Sequence, residues 1–240
     1  MNPHGGRYVS HWSRFSARDY RQGLPIPYNI PFHVSLPCRY VFQPFTTAKP
    51  MILEAIVTTQ NSQGQTHIAP MGIHDIGAEL LLVLPFRPSK TLDNLTSTRC
   101  AVINYCDDVR IFAGCLTGRR NWPLQPAEKI PGRYLSQALS HVEVELLRTE
   151  DDETRPRLYC KTVHTVNHGP FRGFNRAQFS VLEAAILVSR LSMLSQDKID
   201  AEIDYLRIGL EKTAGDRERE AWEWLMQAID RFRRQQSQKR

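Results

Sequence analysis

The chain has 240 residues, of which 41% are apolar, enough for one large domain or for a domain with a substantial appendage around a real core. Its formal charge of +6 invites a nucleic-acid partner, but residues 1–50 hold six Lys or Arg against Asp19 alone, so residues 51–240 are nearly neutral at +1. A body-wide basic surface is thereby excluded, and no apolar run approaches the roughly 18 residues of a membrane span.

The five cysteines, Cys38, Cys100, Cys106, Cys115 and Cys160, are odd in number and lack C-x-x-C spacing, which reads as reduced structural thiols in a cytoplasmic protein. Residues 1–50 show little apolar periodicity and are punctuated by Pro25, Pro27, Pro31, Pro37, Pro44 and Pro50. They lack the apolar core of a secretory signal, and their Arg-rich, acid-poor composition has something of a transit peptide without a clear amphipathic helix. The segment is expected to be a disordered or loosely docked extension, or an over-extension of the reading frame upstream of Met51.

Residues 52–60 are rich in β-branched and aliphatic side chains, 61–64 carry turn chemistry, and 65–73 resume an extended pattern, which predicts a hairpin. A turn over 74–77 leads into the apolar run 78–84, expected as a strand buried on both faces. The next stretch, Pro85-Phe86-Arg87-Pro88-Ser89-Lys90-Thr91-Leu92-Asp93-Asn94-Leu95, reads as a phosphate clamp. Arg87 and Lys90 offer charged donors, Ser89 and Thr91 offer hydroxyls, and a cap at Ser89 or Thr91 would leave backbone N–H groups facing an anion. A plain helix start with two surface cations is the alternative.

A short helix over 92–98, a strand over 100–105 and a helix over 109–116 with Asp107 and Asp108 at its N-terminus follow. Residues 118–132 read as a loop whose Arg119, Arg120 and Trp122 offer a stacking surface. Strands over 141–149 and 158–166 complete a barrel-like sheet of six or more strands. His164 and His168 have the spacing of a metal pair but no third ligand near, and no metal is expected. There is no G-x-S-x-G, Walker or G-x-G-x-x-G sequence.

Asn175 caps an expected helix over 176–194, apolar almost all round and so expected to be buried. A second helix places Ile199, Ile203, Leu206 and Leu210 on one face and is expected to end at Gly215 as its C-terminal cap. A third carries Trp222, Leu225, Met226, Ile229 and Phe232 at the same spacing. The organisation is therefore an extension (1–50), a mainly antiparallel barrel domain (51–172) and a helical appendage (173–240), an α+β fold.

The order of these parts resembles the flavin-reductase-like FMN-binding split barrels. The resemblance rests on the strand Ile52-Leu53-Glu54-Ala55-Ile56-Val57-Thr58-Thr59, the strand His67-Ile68-Ala69-Pro70-Met71-Gly72, the clamp, and Val102-Ile103-Asn104. Gly173-Phe174-Asn175-Arg176-Ala177, followed by Leu182-Glu183-Ala184-Ala185-Ile186-Leu187, resembles more narrowly the family of domain of unknown function 447. Members are found in archaea and in bacteria with methanopterin-linked one-carbon metabolism.

The resemblance implies an FMN-binding split β-barrel with a C-terminal helical appendage. It implies FMN phosphate at Arg87, Ser89, Lys90 and Thr91, with Asn94 beside them, and the ring against Ala69, Pro70, Met71 and Gly72. Thr58, Thr59 and Asn104 would be polar neighbours, and Asn175 and Arg176 would reach the site across a homodimer interface; Asn175 also reads simply as a cap. The expected function is an FMN-dependent oxidoreductase with a nicotinamide or pterin as small-molecule partner and with no catalytic side chain assigned. A non-catalytic flavin carrier or redox-sensing module is the alternative.

Overall fold

The computed structural model describes residues 50–238. The expectation for the extension concerns residues outside these, apart from Pro50. The first strands, β1 (Ile52–Gln60) and β2 (Thr66–Asp75), form the expected hairpin, in register from Ile52 opposite His74 to Gln60 opposite Thr66. Its turn is fixed by Asn61, whose side-chain oxygen accepts from the N–H groups of Gln63 (3.0 Å) and Gln65 (2.9 Å). The third strand, β3, is only Leu80–Val83, because Gly77, Ala78 and Glu79 all lie at positive φ and cannot extend the ladder backwards. Nor is it buried on both faces as expected: Leu81 and Val83 point into the core, while Leu80 and Leu82 are half-buried outside.

Helix α1 (Lys90–Thr98) is followed by β4 (Cys100–Tyr105) and α2 (Arg110–Leu116). The segment expected as plain loop, 118–132, holds one short strand, β5 (Leu124–Pro126), which pairs with β6 (Arg133–Leu135) just beyond it. Two long strands, β7 (Ser140–Glu150) and β8 (Arg157–Asn167), complete the sheet. The six main strands close into an antiparallel barrel in the order β1-β2-β3-β8-β7-β4, sealed where Ile56–Thr58 pair with Val102–Asn104. Alternate residues fill the interior, among them Ala55, Val57, Ile73, Val83, Ile103, Val144 and Leu158.

The outer face of the barrel is covered twice. Ile111, Phe112 and Cys115 of α2 pack on Ile56 and Ile68, while Val109 and Ala113 join the core of the C-terminal helices. On another part of the wall the segment carrying β5 and β6 is held down by three buried polar side chains. Thr58 donates to Arg133 O (2.5 Å), Asn104 accepts from Leu135 N–H (2.7 Å), and Glu143 accepts from the N–H groups of Glu128, Lys129 and Ile130 at 2.7–3.0 Å. A short loop-like segment with few apolar anchors is thus fixed by hydrogen bonds that burial makes costly to lose.

The C-terminal helices are α3 (Arg176–Ser189), α4 (Gln196–Thr213) and α5 (Asp216–Ser237). Ile199, Ile203, Leu206 and Leu210 of α4 are all buried as their spacing predicts, each contributing about 1.5–3 kcal/mol of transfer free energy. Trp222, Leu225 and Ile229 of α5 are buried beside them, with Met226 and Phe232 partly so. Two expectations are corrected. Helix α3 stops at Ser189 and is not buried all round, since Phe179 is 53% exposed. Gly215 does not end α4, which is capped at Ala214; it starts α5, its N–H donating to Glu218 Oε2 (2.9 Å).

Helices α3 and α4 approach closely at Gly209, where an added Cβ would lie 2.7 Å from Ser180 Oγ, a hydroxyl already committed to Leu206 O (2.8 Å). Replacing Gly209 with Leu is expected to cost about 1–3 kcal/mol through overpacking, read as a lower melting temperature.

Candidate functional site

The clamp stretch forms the N-terminus of α1. Ser89 is the N-cap, its Oγ accepting from Leu92 N–H (3.3 Å). Lys90 is exposed, and Thr91 is fully buried with an Oγ that has no partner among the described residues. An orphaned hydroxyl at a helix start, beside a lysine, is the donor set that an anion completes. Asn94 ties the helix to the barrel, donating to Thr59 Oγ1 (3.0 Å). Both of these residues therefore shape the site by holding α1 in place.

Arg87 departs from its expected role. Its guanidinium pairs with Asp151 (2.6 Å) and donates to Asp152 O (3.2 Å), while its N–H donates to Thr154 O (2.9 Å), so it fastens the clamp to the β7–β8 turn. Another cation, Arg120, and a histidine, His67, lie near the helix start. His67 stands opposite Thr59 in the hairpin, and burial, then the charges of Arg120 and Lys90, push it below the ordinary histidine range. Arg120 is held by Ile68 O and Cys115 O, both at 3.0 Å. The sequence reading missed His67 and gave Arg120 only a stacking role. The hairpin register, which places His67 opposite Thr59, was the available signal.

A cavity of about 440 Å³ opens between the barrel and the helices. Pro70, Met71 and Gly72 of β2 line it together with Ile52 and Glu54 of β1, Leu84–Phe86 and side chains of α2 and α3. Three of the four residues expected to wall a ring are thus brought together, three residues upstream of the Ser89 cap at Phe86. Ala69 is not among them: it pairs with Val57, whose side chain fills the barrel interior. Gly72 is required by close packing, since a Cβ there would lie 2.8 Å from Ile52 Cγ2. Arg155 stacks over Phe86 (4.7 Å to the centroid) and donates to Leu84 O (3.0 Å), stiffening that wall. Burial, and then Glu183 of α3, raise the Glu54 carboxyl above its ordinary range.

Three expected site residues have their polar atoms engaged elsewhere. Thr58 and Asn104 hold β6, and Asn104 also donates to Ile56 O (2.9 Å). Asn175 caps α3, accepting from Ala177 N–H (2.8 Å) and Gln178 N–H (3.2 Å) and donating to Thr213 O (3.1 Å). Arg176 is exposed at the start of the same helix. Asn175→Ala is accordingly expected to cost about 1–2 kcal/mol of stability, seen by thermal unfolding, while anion affinity at α1 stays within about twofold.

One cluster was not foreseen. His141 Nδ1 lies 2.8 Å from His168 Nε2, its Nε2 lies 3.3 Å from Glu143 Oε1, and Tyr134 stacks on both imidazoles. His164 instead meets Glu128 (3.2 Å), so the pair His164 and His168 is not a unit. Among the described residues no group of three or more His, Cys, Asp or Glu side chains is arranged so that it could hold a metal ion. No helix there is long and apolar enough to cross a membrane.

The fold defines a split β-barrel carrying a helical unit, with a cavity between them whose wall at Phe86 precedes the Ser89-capped helix start. Residues 53–169 match the N-terminal domain, and residues 175–227 the C-terminal part, of a family described as protein of unknown function (DUF447); the chain belongs to this family. An FMN-bound protein of the same family from Methanosarcina mazei has the same fold, with a TM-score of 0.64 at 20% identity over 77% of this chain and 97% of its own. Partial overlaps are found with the 2-nitrobenzoate 2-nitroreductase of Pseudomonas fluorescens (TM-score 0.45, 20% identity, 52% of this chain and 68% of the other) and with an FMN-binding protein of Thermus thermophilus (0.42, 14%, 58% and 80%). No curated protein matches the sequence.

Proposed function

We propose that the chain binds FMN and is an FMN-dependent oxidoreductase of the cytoplasm. The observation that carries this reading is the buried, unpartnered Thr91 hydroxyl at the Ser89-capped start of α1, in the stretch that follows Leu84, Pro85 and Phe86 of the cavity wall. The FMN-bound state of the family member from Methanosarcina mazei supports the same cofactor. Ser89, Lys90 and Thr91 would hold the phosphate, with Arg120 adding positive charge and His67 standing by as a neutral imidazole. Pro70, Met71 and Gly72 would take the ring, with Phe86 and the apolar side chains of α2 and α3 excluding water. When bound, FMN supplies hydride and single-electron transfer, and the chain supplies orientation and electrostatics.

The electron donor in this proposal is a nicotinamide, and the narrower reading of a tetrahydromethanopterin-type acceptor rests on the family resemblance. Anaerobic addition of NADH or NADPH to the FMN-loaded chain is expected to bleach the flavin band within seconds to minutes. A band that stays oxidised with both would argue for the carrier reading.

We also propose a homodimer. Phe171 and Phe174 are 66% and 100% exposed, meet edge to face 5.2 Å apart, and precede α3, whose Phe179 is exposed as well. Such a patch next to the Asn175 turn suits a two-fold contact. Light scattering at micromolar concentration is expected to give twice the chain mass, and a monomeric mass for FMN-loaded protein would contradict the proposal.

A further inference from the structure

We propose that the Glu54 carboxyl is the acid group of the β2 cavity: it takes up a proton from solvent as a planar ring system enters and donates it as a hydrogen bond to an acceptor on the ring edge. The inference rests on the FMN reading above and goes beyond it by assigning a role to a side chain that the clamp and the cavity floor do not use.

The geometry comes from the hairpin. Glu54 stands opposite Gly72, and a Cβ built on Gly72 would lie 3.7 Å from Glu54 Oε1, so the carboxyl overhangs the part of the cavity floor that has no side chain. Among the described residues it has neither a hydrogen-bond nor an ion-pair partner. The charged and titratable groups around it are Glu183 of α3, Arg190 at the end of that helix, Arg155 from the β7–β8 turn and His74 of β2. Arg155 is turned away onto Phe86 and Leu84 O, and Arg190 is exposed. The neighbour whose charge acts on Glu54 most is therefore another carboxylate, which opposes its ionisation as burial does.

A ring entering the cavity would replace the water that still solvates this carboxyl. An ionised carboxylate closed between apolar surfaces without a partner is costly, whereas the neutral acid is not and can donate to a ring nitrogen or carbonyl. Filling the cavity thus raises the carboxyl further, and the bound state holds more protons than the free one. By linkage, affinity is fully present at low pH and falls as pH rises through the titration of Glu54.

The test measures the FMN dissociation constant by flavin fluorescence from pH 5 to pH 8 for the wild-type chain and Glu54→Gln, an isosteric mimic of the neutral acid. The phosphate titrates equally in both, so the ratio of the two constants reports on Glu54. We expect the ratio of wild-type to variant constants to be smallest at the acid end and to grow as pH rises, by up to about tenfold for each unit by which binding raises the carboxyl. Glu183→Gln, which removes the neighbouring charge, is expected to move the pH at which wild-type affinity falls to a lower value. A ratio that does not change with pH, or a profile unmoved by Glu183→Gln, overturns the assignment and leaves the FMN reading standing. Absence of FMN binding in wild-type and variant alike removes both.

Discussion

Changing Lys90 to Ala and Thr91 to Val together will weaken FMN by about a hundredfold and leave riboflavin affinity almost unchanged. Lys90 offers a charged donor at the start of α1, and the Thr91 hydroxyl is buried there without a partner. Hydrogen bonds to charged groups contribute about 1.5–3 kcal/mol, and each 1.4 kcal/mol is about tenfold in affinity. Valine keeps the shape of Thr91, so the core around Leu92 and Leu95 is preserved. Riboflavin carries the ring and not the phosphate, which makes it the internal control. By contrast, Arg87→Ala removes an exposed pair with Asp151 and should change stability by no more than about 1 kcal/mol, with a small effect on either ligand. Equal loss of FMN and riboflavin in the double variant would show that α1 does not hold the phosphate.

Glu143→Ala is expected to destabilise the chain by about 3–5 kcal/mol, the largest stability effect of any single side chain discussed for the barrel wall. Its carboxylate is fully buried and accepts three backbone N–H bonds from Glu128, Lys129 and Ile130, which deletion leaves without acceptors. Burial alone would raise this carboxyl, but those bonds together with His141 hold it below the ordinary carboxylate range. A depressed carboxyl contributes stability that is present above its unfolded value and is lost as pH falls through the folded one. Wild-type stability should therefore decline with acidification below the ordinary glutamate range, and Glu143→Ala should show less of that decline. Denaturant unfolding at pH 7 and pH 4 checks both. A variant as stable as wild type at pH 7 would mean that water replaces the carboxylate without cost.

Much of the barrel was legible because its strands carry period-two patterns and its hairpin turn has the Asn-x-x-Gly chemistry that fixes register. The three helical stripes were legible for the same kind of reason, and Ile199, Ile203, Leu206 and Leu210 are buried as one face. The misreadings occurred where one local signal admitted two structures. A glycine between two helices can end the first or start the second, and only Glu218 reaching back to Gly215 decides. Residues 118–135 lack periodicity because their fixation comes from Glu143 on 128–130, Thr58 on Arg133 and Asn104 on Leu135, which are remote in sequence.

The candidate site was half legible. Ser89, Lys90 and Thr91 lie together at a helix start because capping is local, and Pro70, Met71 and Gly72 share a cavity because they share a strand. Thr58, Asn104 and Asn175 looked like ligand-facing polar residues until their hydrogen bonds were seen to close within the fold. Arg87 could not be placed from sequence, since its partner Asp151 lies on a turn 64 residues away. The alignment of His67, Lys90 and Arg120 likewise depends on tertiary packing.

The central claim is that the chain holds one FMN between the start of α1 and the β2 cavity. Titrating FMN into the purified chain while following the flavin band near the visible maximum and its fluorescence tests it most directly. Saturation at one FMN per chain, with a shifted band, quenched fluorescence and tighter binding than riboflavin, is the predicted result; an unchanged spectrum and fluorescence at millimolar FMN would contradict it.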